Sequence, residues 1–345
     1  MAVAEPSVLV RGAAHNVLRR RGHGMTANAD RQSVTQAVNA AAGPRDLSVI
    51  VGCVEAARSI EGCLRSIRQA CEGLDAEVIV VDASRDGTAG IARRFGSEIA
   101  VVQRAPGTLT PKLWADGLAA SRGRVVAFMT GHCTVPTAWA RTLLGGFAAG
   151  IAGVGGWLEL ARGTSVTDWA VFYLRYSDFL AVNGSGYQIV KHIPGDNAAY
   201  LREALDRHAG TFSTGFWEVD FHRLLRADGG ELALAPQATV TFGRSFPFWT
   251  IVRHRFEHGR HFAAGRVASG ERSRLRVLLG TPLVPLVLLA RIARRVWRRP
   301  VDRVRAAAAL PWMAILATSW ASGEAWGALI APARRTPPMR VEGAR

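Results

Sequence analysis

Four short apolar runs rich in β-branched residues alternate with segments of helical periodicity in the first half of the chain. The runs occupy residues 47–51, 77–81, 99–103 and 124–129. Strands that are apolar almost throughout and alternate with helices are typical of a parallel sheet with helices on both faces. The pattern therefore predicts an α/β fold with a mostly parallel sheet in this part of the chain.

One segment between these runs shows a clear helical face. Ile60, Cys63, Leu64, Ile67 and Cys71 follow the i, i+3, i+4, i+7, i+11 spacing of an amphipathic helix. This places two of the four cysteines in the core of the predicted fold. The four cysteines show neither metal-ligand spacing nor a disulfide framework, which favours a reducing compartment such as the cytoplasm.

Polar residues follow two of the predicted strands. Residues 82–88 read DASRDGT, and residues 130–133 read TGHC. In open α/β sheets, ligands bind in the crevice beyond the carboxyl ends of the strands. The two segments therefore indicate where a ligand site should lie.

Several motifs of the chain occur together in one known family. The first part comprises SVIV at 48–51, EVIVVDASRDGT at 77–88, and VVAFM at 125–129 followed by Pro136 and Trp139. A second part comprises GDNAAYLREAL at 195–205 and WEVDFHRLLRADGGELALAP at 217–236. In these motifs the chain resembles family 2 glycosyltransferases of the GT-A fold. The resemblance covers residues 47–244. It implies a GT-A type Rossmann-like, mostly parallel sheet, and transfer of a sugar from a nucleoside-diphosphate sugar to a hydroxyl acceptor.

The resemblance implies a donor nucleotide site at the ends of the first two strands. Asp82 would accept hydrogen bonds from the base or the ribose, with a turn carboxylate bonded to backbone as the alternative. Gly52 and Glu55 lie in the loop that would face the base. Glu55 is either a base or ribose contact or a carboxylate stabilised by a helix N-terminus.

The fourth strand departs from the family pattern. The family ends this strand with Asp-x-Asp, whose carboxylates hold the ribose and a divalent cation. Here Thr130, Gly131 and His132 follow, and the family's histidine after the last strand is replaced by VTF at 240–242. No metal ligand is assigned, although Mg²⁺ or Mn²⁺ remains an option. Diphosphate stabilisation without metal, a rebuilt metal site and lost donor chemistry are all open.

The sequence allows three roles for His132. His132 is a hydrogen-bond donor or cation for the phosphates, a metal ligand, or a structural loop residue.

We assign Thr130 and His132 to the donor site, and Asp196, Asn197 and Trp217 to the sugar or acceptor pocket. For Asn197 a helix cap is the alternative. Tyr176 and Asp178, in an aromatic-rich segment, are pocket candidates without motif support.

Glu218 is the candidate catalytic base. It takes the position of the family's catalytic aspartate when WEVD is aligned on Asp220. A sugar hydroxyl is a poor nucleophile until a carboxylate takes its proton as the new bond forms. One base suffices for transfer with inversion. The alternative for Glu218 is stabilisation of the first helical turn by a carboxylate.

The charge of the chain points to an anionic partner. The formal net charge is +16, which favours nucleic acid, an anionic membrane surface or phosphate-bearing substrates. No nucleic-acid-binding motif accompanies it, so we expect no nucleic-acid partner. Segment 243–266 mixes basic and aromatic residues, and Arg244, Arg253 and His254 are candidates for contact with phosphate. Lipid headgroups or solvent are alternative surroundings for this face.

Two apolar segments lie near the C-terminus. Segment 277–290 is uncharged but short and contains two prolines, whereas segment 306–323 could span a membrane. The basic loop between them should be cytoplasmic. We predict a disordered extension (1–45), a GT-A domain (46–245), a basic amphipathic interfacial helix (246–273), a membrane-associated helical hairpin (274–332) and a disordered tail (333–345). Soluble helices packed on the catalytic domain are the alternative.

These inferences combine into a glycosyltransferase at the cytoplasmic face of a membrane. Its partners would be a nucleotide-sugar donor, a hydroxyl acceptor such as a lipid-linked or envelope glycan, and the anionic membrane surface. The missing Asp-x-Asp leaves a second hypothesis, a catalytically degenerate member that binds nucleotide or glycan or scaffolds a membrane assembly. A third is a basic peripheral protein that binds membranes or nucleic acid without nucleotide affinity.

Overall fold

The computed structural model describes residues 45–147, 150–181, 186–213, 215–243, 247–268, 270, 272–297 and 299–331. The predicted N-terminal extension up to residue 44, the predicted tail at 333–345 and Arg244 lie outside the described residues. The chain divides into two compact units. Of the described residues, we call those in the range 45–243 the sheet unit and those in the range 247–331 the helical unit.

The sheet unit contains a single nine-stranded sheet within its described residues. The strands are β1 (Arg45–Cys53), β2 (Ala76–Asp82), β3 (Ile99–Gln103), β4 (Gly123–Thr130), β5 (Cys133–Thr134), β6 (Ile151–Leu160), β7 (Gln188–Val190), β8 (Asn197–Leu201) and β9 (Glu231–Phe242). Their order is β3-β2-β1-β4-β8-β6-β9-β5, and β7 pairs with β9. The four predicted apolar runs are confirmed as β1 to β4.

The sheet is mixed, and most of its paired residues lie in parallel ladders. Strands β1 to β4 are parallel as predicted. Strand β8 then runs antiparallel to both β4 and β6, while β6 and β9 are parallel. The short strands β5 and β7 are also antiparallel to β9. The alternation of strands and helices that predicted a parallel sheet ends at β4, and so does the all-parallel part.

Seven α-helices lie in the described part of the sheet unit. They are α1 (Ile60–Ala70), α2 (Thr88–Phe95), α3 (Thr110–Ala120), α4 (Trp139–Gly145), α5 (Val166–Tyr176), α6 (Arg202–Arg207) and α7 (Glu218–Ala227), with a 3-10 turn at Ala209–Thr211. The predicted face of α1 is confirmed, since Ile60, Cys63, Leu64 and Ile67 are buried. Cys71 caps the helix and is only half-buried.

Aromatic side chains build much of the core on one side of the sheet. Phe128 of β4 stacks on Phe216 with ring centroids 4.4 Å apart, and Trp114 of α3 meets both rings edge-on. Tyr200 of β8 and Phe221 of α7 complete the cluster at a centroid distance of 5.1 Å. Such pairs add to the free energy of burial through their ring geometry. The cluster fixes α3 and α7 against β4 and β8.

The topology collects several strand ends at one edge of the sheet. The parallel strands β1, β2 and β4 end at Cys53, Asp82 and Thr130. Because β8 is antiparallel to β4, with Asn197 opposite Met129, the segment entering β8 lies at this same edge. We call it the carboxyl edge. Two segments far apart in sequence, 130–133 and 194–197, are therefore neighbours in space.

The helical unit consists of four α-helices in its described residues: α8 (Phe248–Ala268), α9 (Arg274–Gly280), α10 (Val284–Val296) and α11 (Pro300–Ile330), with a 3-10 turn at Thr281–Leu283. Helices α8 and α11 pack through glycines. A Cβ on Gly259 would lie 2.3 Å from the Trp320 carbonyl oxygen, and one on Gly323 would lie 2.1 Å from that of Phe256. Small residues at these positions allow the two backbones to approach closely.

Helices α9 and α10 present an apolar face to solvent. Leu275 and Leu279 of α9, Leu283 of the connecting turn and Leu286 of α10 are each at least 58% exposed. The helical run Arg274–Val296 is, in the described residues, the one helix long and apolar enough to cross a membrane by length and composition. The sequence had suggested that the uncharged segment here was too short. The run is longer because arginines at both ends are also helical.

Two predicted segments of this unit lie in helices that pack against each other. Segment 306–323, predicted as able to span a membrane, belongs to α11, which packs on α8 through buried residues such as Leu316 and Trp320. The predicted amphipathic interfacial helix is α8, whose buried residues Ile251, Gly259 and Ala263 lie along a face used for helix packing. The packing occupies one face of each helix, and the membrane roles of both segments stay predictions.

Glycine substitutions in two helices test the packing of the sheet unit. A Cβ on Gly117 of α3 would lie 2.3 Å from Cγ2 of the buried Ile50. We expect Gly117→Ala to lower the free energy of unfolding by about 1–3 kcal/mol, the usual cost of overpacking. Gly62→Ala in α1, where nothing lies within 4 Å, should raise it by roughly 0.5–1 kcal/mol through helix propensity. Urea unfolding measures both, and equal effects would contradict the packing.

Candidate active site

Hydrogen bonds between the loops after β1 and β2 hold the two loops together. The backbone N–H of Glu55, which has a φ of 50°, donates to Ser84 Oγ at 2.7 Å. In return, the backbone N–H of Arg85 donates to Glu55 Oε1 at 3.0 Å. A left-handed residue other than glycine is uncommon and needs such support. The Glu55 side chain thus has a structural role here, and its contact with a nucleotide stays a prediction.

Asp82 serves the same loop, contrary to our first assignment. It is 2% exposed. Its Oδ1 accepts from Ser84 N at 3.1 Å and Ser84 Oγ at 2.5 Å, and its Oδ2 accepts from Ala89 N at 3.1 Å. The carboxylate therefore caps the turn and the start of α2 instead of facing the crevice. The sequence had left this open as the alternative.

Trp114 covers the end of β1. Its indole N–H donates to the Met129 carbonyl at 2.9 Å. A Cβ on Gly52 would lie 3.1 Å from Trp114 Nε1, and one on Gly195 would lie 3.0 Å from Trp114 Cη2. The indole therefore lies between Gly52 and the segment entering β8. Gly52, predicted to contact the nucleotide, allows this close approach.

His132 is buried and neutral. Its Nε2 lies 3.1 Å from the Val54 carbonyl, to which the N–H donates, and its Nδ1 lies 3.3 Å from Ser59 Oγ. Burial lowers the pKa of His132 to about 4, against the opposing effect of the bond to Val54. The predicted role as a cation for phosphate is wrong at neutral pH, because a desolvated imidazole loses its proton. Thr130 is also buried, with its hydroxyl 3.8 Å from Cys133 Sγ.

The residues at the expected metal position do not fit Mg²⁺ or Mn²⁺. These ions prefer carboxylate and carbonyl oxygens. Thr130 offers a buried hydroxyl, Gly131 has no side chain, and both His132 nitrogens are engaged. Phe242, which replaces the family's histidine, packs against Tyr176 with ring centroids 5.6 Å apart. Within the described ranges, no group of three or more His, Cys, Asp or Glu could hold a metal ion.

Asp196 is the centre of a buried polar cluster at the carboxyl edge. Its Oδ2 accepts from Arg175 Nη2 at 2.8 Å and from the Tyr176 hydroxyl. Its Oδ1 is buried and has no hydrogen-bond partner among the described residues. An unpaired buried carboxylate oxygen is costly and signals a site that a ligand can complete. The assignment of Asp196 to the pocket remains, and Tyr176 is its neighbour.

Glu218 begins α7 beside this cluster. It is partly buried, and a Cβ on Gly195 would lie 3.0 Å from Glu218 Cδ, so its carboxyl lies against the segment that carries Asp196. Burial raises the pKa of Glu218 to about 7; its own backbone N–H and Arg175 oppose the rise, and Asp196 adds to it. A carboxyl group with this pKa can accept a proton near neutral pH.

Asn197 was wrongly assigned to the sugar pocket. It is fully buried, and its Oδ1 accepts from Trp139 Nε1 at 2.8 Å. Its Nδ2 donates to the carbonyls of Ala238 at 2.7 Å and Trp157 at 3.3 Å. These carbonyls lie within the register shift between β6 and β9. The amide satisfies backbone groups that the irregular ladder leaves unpaired.

The other predicted residues have the following positions. Trp217 precedes α7, and its indole N–H is buried without a hydrogen-bond partner in the described part of the chain. Asp220 pairs with Arg223 on the same helix. Arg253 and His254 lie on α8 in the helical unit, and their role toward phosphate stays a prediction.

Part of the sheet unit matches a known protein family. The model of the family described as glycosyl transferase family 2 matches residues 48–209. This match covers slightly less than half of the chain. The matched region contains β1 to β4, Arg175 and Asp196, whereas Glu218 lies just beyond it. The sheet unit is an α/β domain with a mixed sheet.

Two solved structures illustrate the likeness. GalNAc-T7 with UDP, GalNAc and Mn²⁺ has 13% sequence identity and a TM-score of 0.43, over 58% of this chain and 44% of that one. Mannosyltransferase PcManGT from Pyrobaculum calidifontis, in complex with GDP-Man and Mn²⁺, has 18% identity and a TM-score of 0.46, over 82% of this chain and 83% of that one. This chain thus spans less than half of the first structure. No curated protein matches it.

Two residues of this candidate site, Arg175 and Trp114, were not predicted from the sequence. Arg175 has no motif around it, and its partner Asp196 is 21 residues away. Trp114 was noticed only as a departure from the family's Ala-Arg-Asn stretch. The capping box of Ser165 and Asp168 fixes the start of α5. The sequence could have indicated that helix, but not which of its side chains reaches the carboxyl edge.

The pKa of Glu218 predicts a pH-dependent effect on stability. A carboxyl whose pKa is raised on folding stabilises the fold fully below its unfolded pKa, and this contribution is lost as the pH rises toward 7. Glu218→Gln removes the ionisable group. We compare the free energy of unfolding of the variant with that of the wild type at each pH. The variant's advantage should be about 1–3 kcal/mol larger at pH 8.5 than at pH 5.

Urea unfolding at the two pH values measures this difference. Glu203→Gln is the matched control, because Glu203 is an exposed carboxylate in the first turn of α6. A pH-independent difference for Glu218→Gln would contradict the raised pKa.

Proposed function

We propose that the chain transfers a sugar from a nucleoside-diphosphate sugar to a hydroxyl acceptor, with Glu218 as general base. The observation that carries this proposal is the Glu218 carboxyl, with a pKa raised to about 7, beside Asp196 at the carboxyl edge. The match of residues 48–209 to the model of glycosyl transferase family 2 supports the reaction class. The sugar, the base of the nucleotide and the acceptor are not part of the proposal.

The proposed reaction is a single displacement with inversion. The acceptor oxygen forms a bond to the anomeric carbon while the bond from that carbon to the phosphate oxygen breaks. The bonding electrons leave with the nucleoside diphosphate, and the hydroxyl proton passes to Glu218. A carboxyl with a pKa near 7 is well matched to this transfer, because it is substantially ionised at neutral pH and still basic.

We propose the following contacts for the other candidate residues of the site. The donor nucleoside would lie over the loops after β1 and β2, with Glu55 and the Gly52 backbone as contacts. The Trp217 indole N–H, buried and unpaired, would donate to a hydroxyl of the acceptor or the sugar. Asp196 Oδ1 is the other unpaired group available. Both groups would gain the hydrogen bonds that the described residues do not provide.

A second candidate function is binding of nucleotide or glycan without transfer. Two family positions here serve the fold, since the Asp82 carboxylate caps a turn and the Asn197 amide fills an irregular ladder. Trp114 also fills space beside Gly52. Both functions require ligand affinity, so turnover is what separates them.

We further propose that the helical unit binds the surface of an anionic membrane at its cytoplasmic face. The exposed leucines of α9 and α10 and the uncovered run Arg274–Val296 support this. Arg294 and Arg295 end that run, and basic side chains beside an apolar face suit anionic headgroups. A lipid-linked acceptor would be consistent with such a location.

Loss of the base should abolish turnover while leaving donor binding intact. Calorimetry with UDP, GDP and dTDP identifies the base, and release of that diphosphate from its sugar forms measures turnover. We expect Glu218→Gln to bind the nucleotide as the wild type does and to react about 10²–10⁴-fold more slowly. The rate of the wild type should fall as the pH drops below about 7, because Glu218 becomes protonated.

Asp220→Asn is the matched control, two residues further along α7 and paired with Arg223. It should keep wild-type turnover. Nucleotide binding by a wild type that shows no turnover with any sugar donor would favour the second candidate. Absence of binding to all three nucleotides would overturn both.

Leucines on the exposed face should determine membrane binding. We expect Leu279→Glu with Leu286→Glu to abolish sedimentation of the full chain with phosphatidylglycerol vesicles, because two buried leucines contribute roughly 3–6 kcal/mol. Ile189→Glu in β7, at a residue 56% exposed in the sheet unit, is the control and should retain binding. Unchanged sedimentation of the leucine variant would contradict the proposal.

A further inference from the structure

Arg175 lies where the family 2 site needs positive charge. It is the penultimate residue of α5, and its Nη2 donates to Asp196 Oδ2 at 2.8 Å. Asp196 precedes Asn197, which is paired with Met129 at the end of β4. The guanidinium is therefore anchored beside the strand end where the family pattern has its Asp-x-Asp.

The Arg175 side chain has donors left for a ligand. A guanidinium carries five N–H groups, and among the described residues only Nη2 makes a hydrogen bond. The side chain is 36% exposed, whereas that of its partner Asp196 is 3% exposed. The ion pair thus has one buried end and one open end. The Tyr176 ring, 5.0 Å from the guanidinium carbon, supports it from one side.

The Arg175 charge also reaches the groups around the proposed reaction centre. Burial raises the pKa values of Cys133 and Glu218. The positive charge of Arg175 is among the smaller influences that lower both pKa values. These effects place the positive charge within range of both the strand end and the base. The distance from Arg175 to Asp196 and the register of β8 give the same location independently.

A nucleoside-diphosphate leaving group needs such a charge. As the bond to the anomeric carbon breaks, negative charge grows on the phosphate oxygen that leaves. Preorganised donors aimed at developing charge lower the barrier. The guanidinium can bind two phosphate oxygens at once and stays protonated at any physiological pH. The residues at the family's metal position do not fit a divalent cation, so another group must supply this charge.

We propose that Arg175 binds the diphosphate of the donor directly and neutralises the leaving group in place of a divalent cation. The proposal rests on the proposed transferase function. Asp196 and Tyr176 are positioning residues, because they hold the guanidinium through one carboxylate oxygen. Arg175 itself would be a catalytic residue, since it touches the substrate.

Paired binding measurements test this role. Calorimetry is performed in EDTA with the diphosphate that binds the wild type, and with its nucleoside, which lacks phosphate. We expect Arg175→Gln to weaken diphosphate binding at least tenfold and to leave nucleoside binding within twofold. Arg175→Lys should recover part of the affinity, because it keeps the charge but loses the planar fork of donors.

Two further variants separate ligand binding from folding. Arg175→Gln leaves the buried Asp196 without its cation, so the double variant Arg175→Gln with Asp196→Asn removes both charges and should keep the weakened diphosphate affinity while restoring thermal stability. Arg202→Gln is the matched control. Arg202 is a partly buried arginine at the other end of β4, where it donates to the Gly123 carbonyl at 2.6 Å. It should bind the diphosphate as the wild type does.

The binding results distinguish a failure of the Arg175 role from a failure of the transferase proposal. Wild-type diphosphate affinity in the folded Arg175→Gln variant would overturn the role of Arg175 and leave the transferase proposal intact. Diphosphate binding by the wild type that is lost in EDTA and restored by Mn²⁺ would overturn it as well, by showing a rebuilt metal site. Absence of binding by the wild type to UDP, GDP and dTDP would instead refute the transferase proposal on which this inference rests.

Discussion

The antiparallel pairing of β8 with β4 is the constraint on which the site depends. Its register places Asn197 opposite Met129, so that Asp196 lies at the carboxyl edge of the sheet. The buried Asn197 amide then connects β8 with the irregular ladder between β6 and β9. Without this pairing, Asp196 would have no fixed relation to Arg175 or to the end of β4. One strand register thus assembles groups from three separate parts of the chain.

Two charged groups at this edge, Arg175 and Glu218, are side chains of helices, not of the strand end. The strand end itself carries a buried hydroxyl, a glycine and a neutral imidazole. Arg175 supplies a cation from a helix, and Glu218 supplies a carboxyl group whose ionisation is held back by burial. An arginine and a carboxyl at the same edge allow opposite charges to develop on the leaving group and the acceptor. The proposed mechanism requires both groups, because Arg175 stabilises the leaving group and Glu218 takes the acceptor proton.

The sequence predicted the parallel half of the sheet because apolar periodicity is a local signal. It predicted the helical face of α1, and the family resemblance located Glu218. Asp82 and Asn197 were misassigned because their hydrogen bonds depend on backbone groups that only the folded chain brings near. The family pattern states which residue type belongs at a position, but not whether its oxygens face a ligand or a turn. Arg175 could not be found because its pairing with Asp196 is purely tertiary.

A crystal structure of the chain with a bound nucleoside-diphosphate sugar, grown in EDTA, tests the central claim most directly. The account predicts the diphosphate at the carboxyl edge, with phosphate oxygens within hydrogen-bond distance of the Arg175 guanidinium. The anomeric carbon should lie on the side of Glu218. A ligand bound elsewhere would contradict the account. So would a diphosphate at this edge that leaves Arg175 paired only with Asp196.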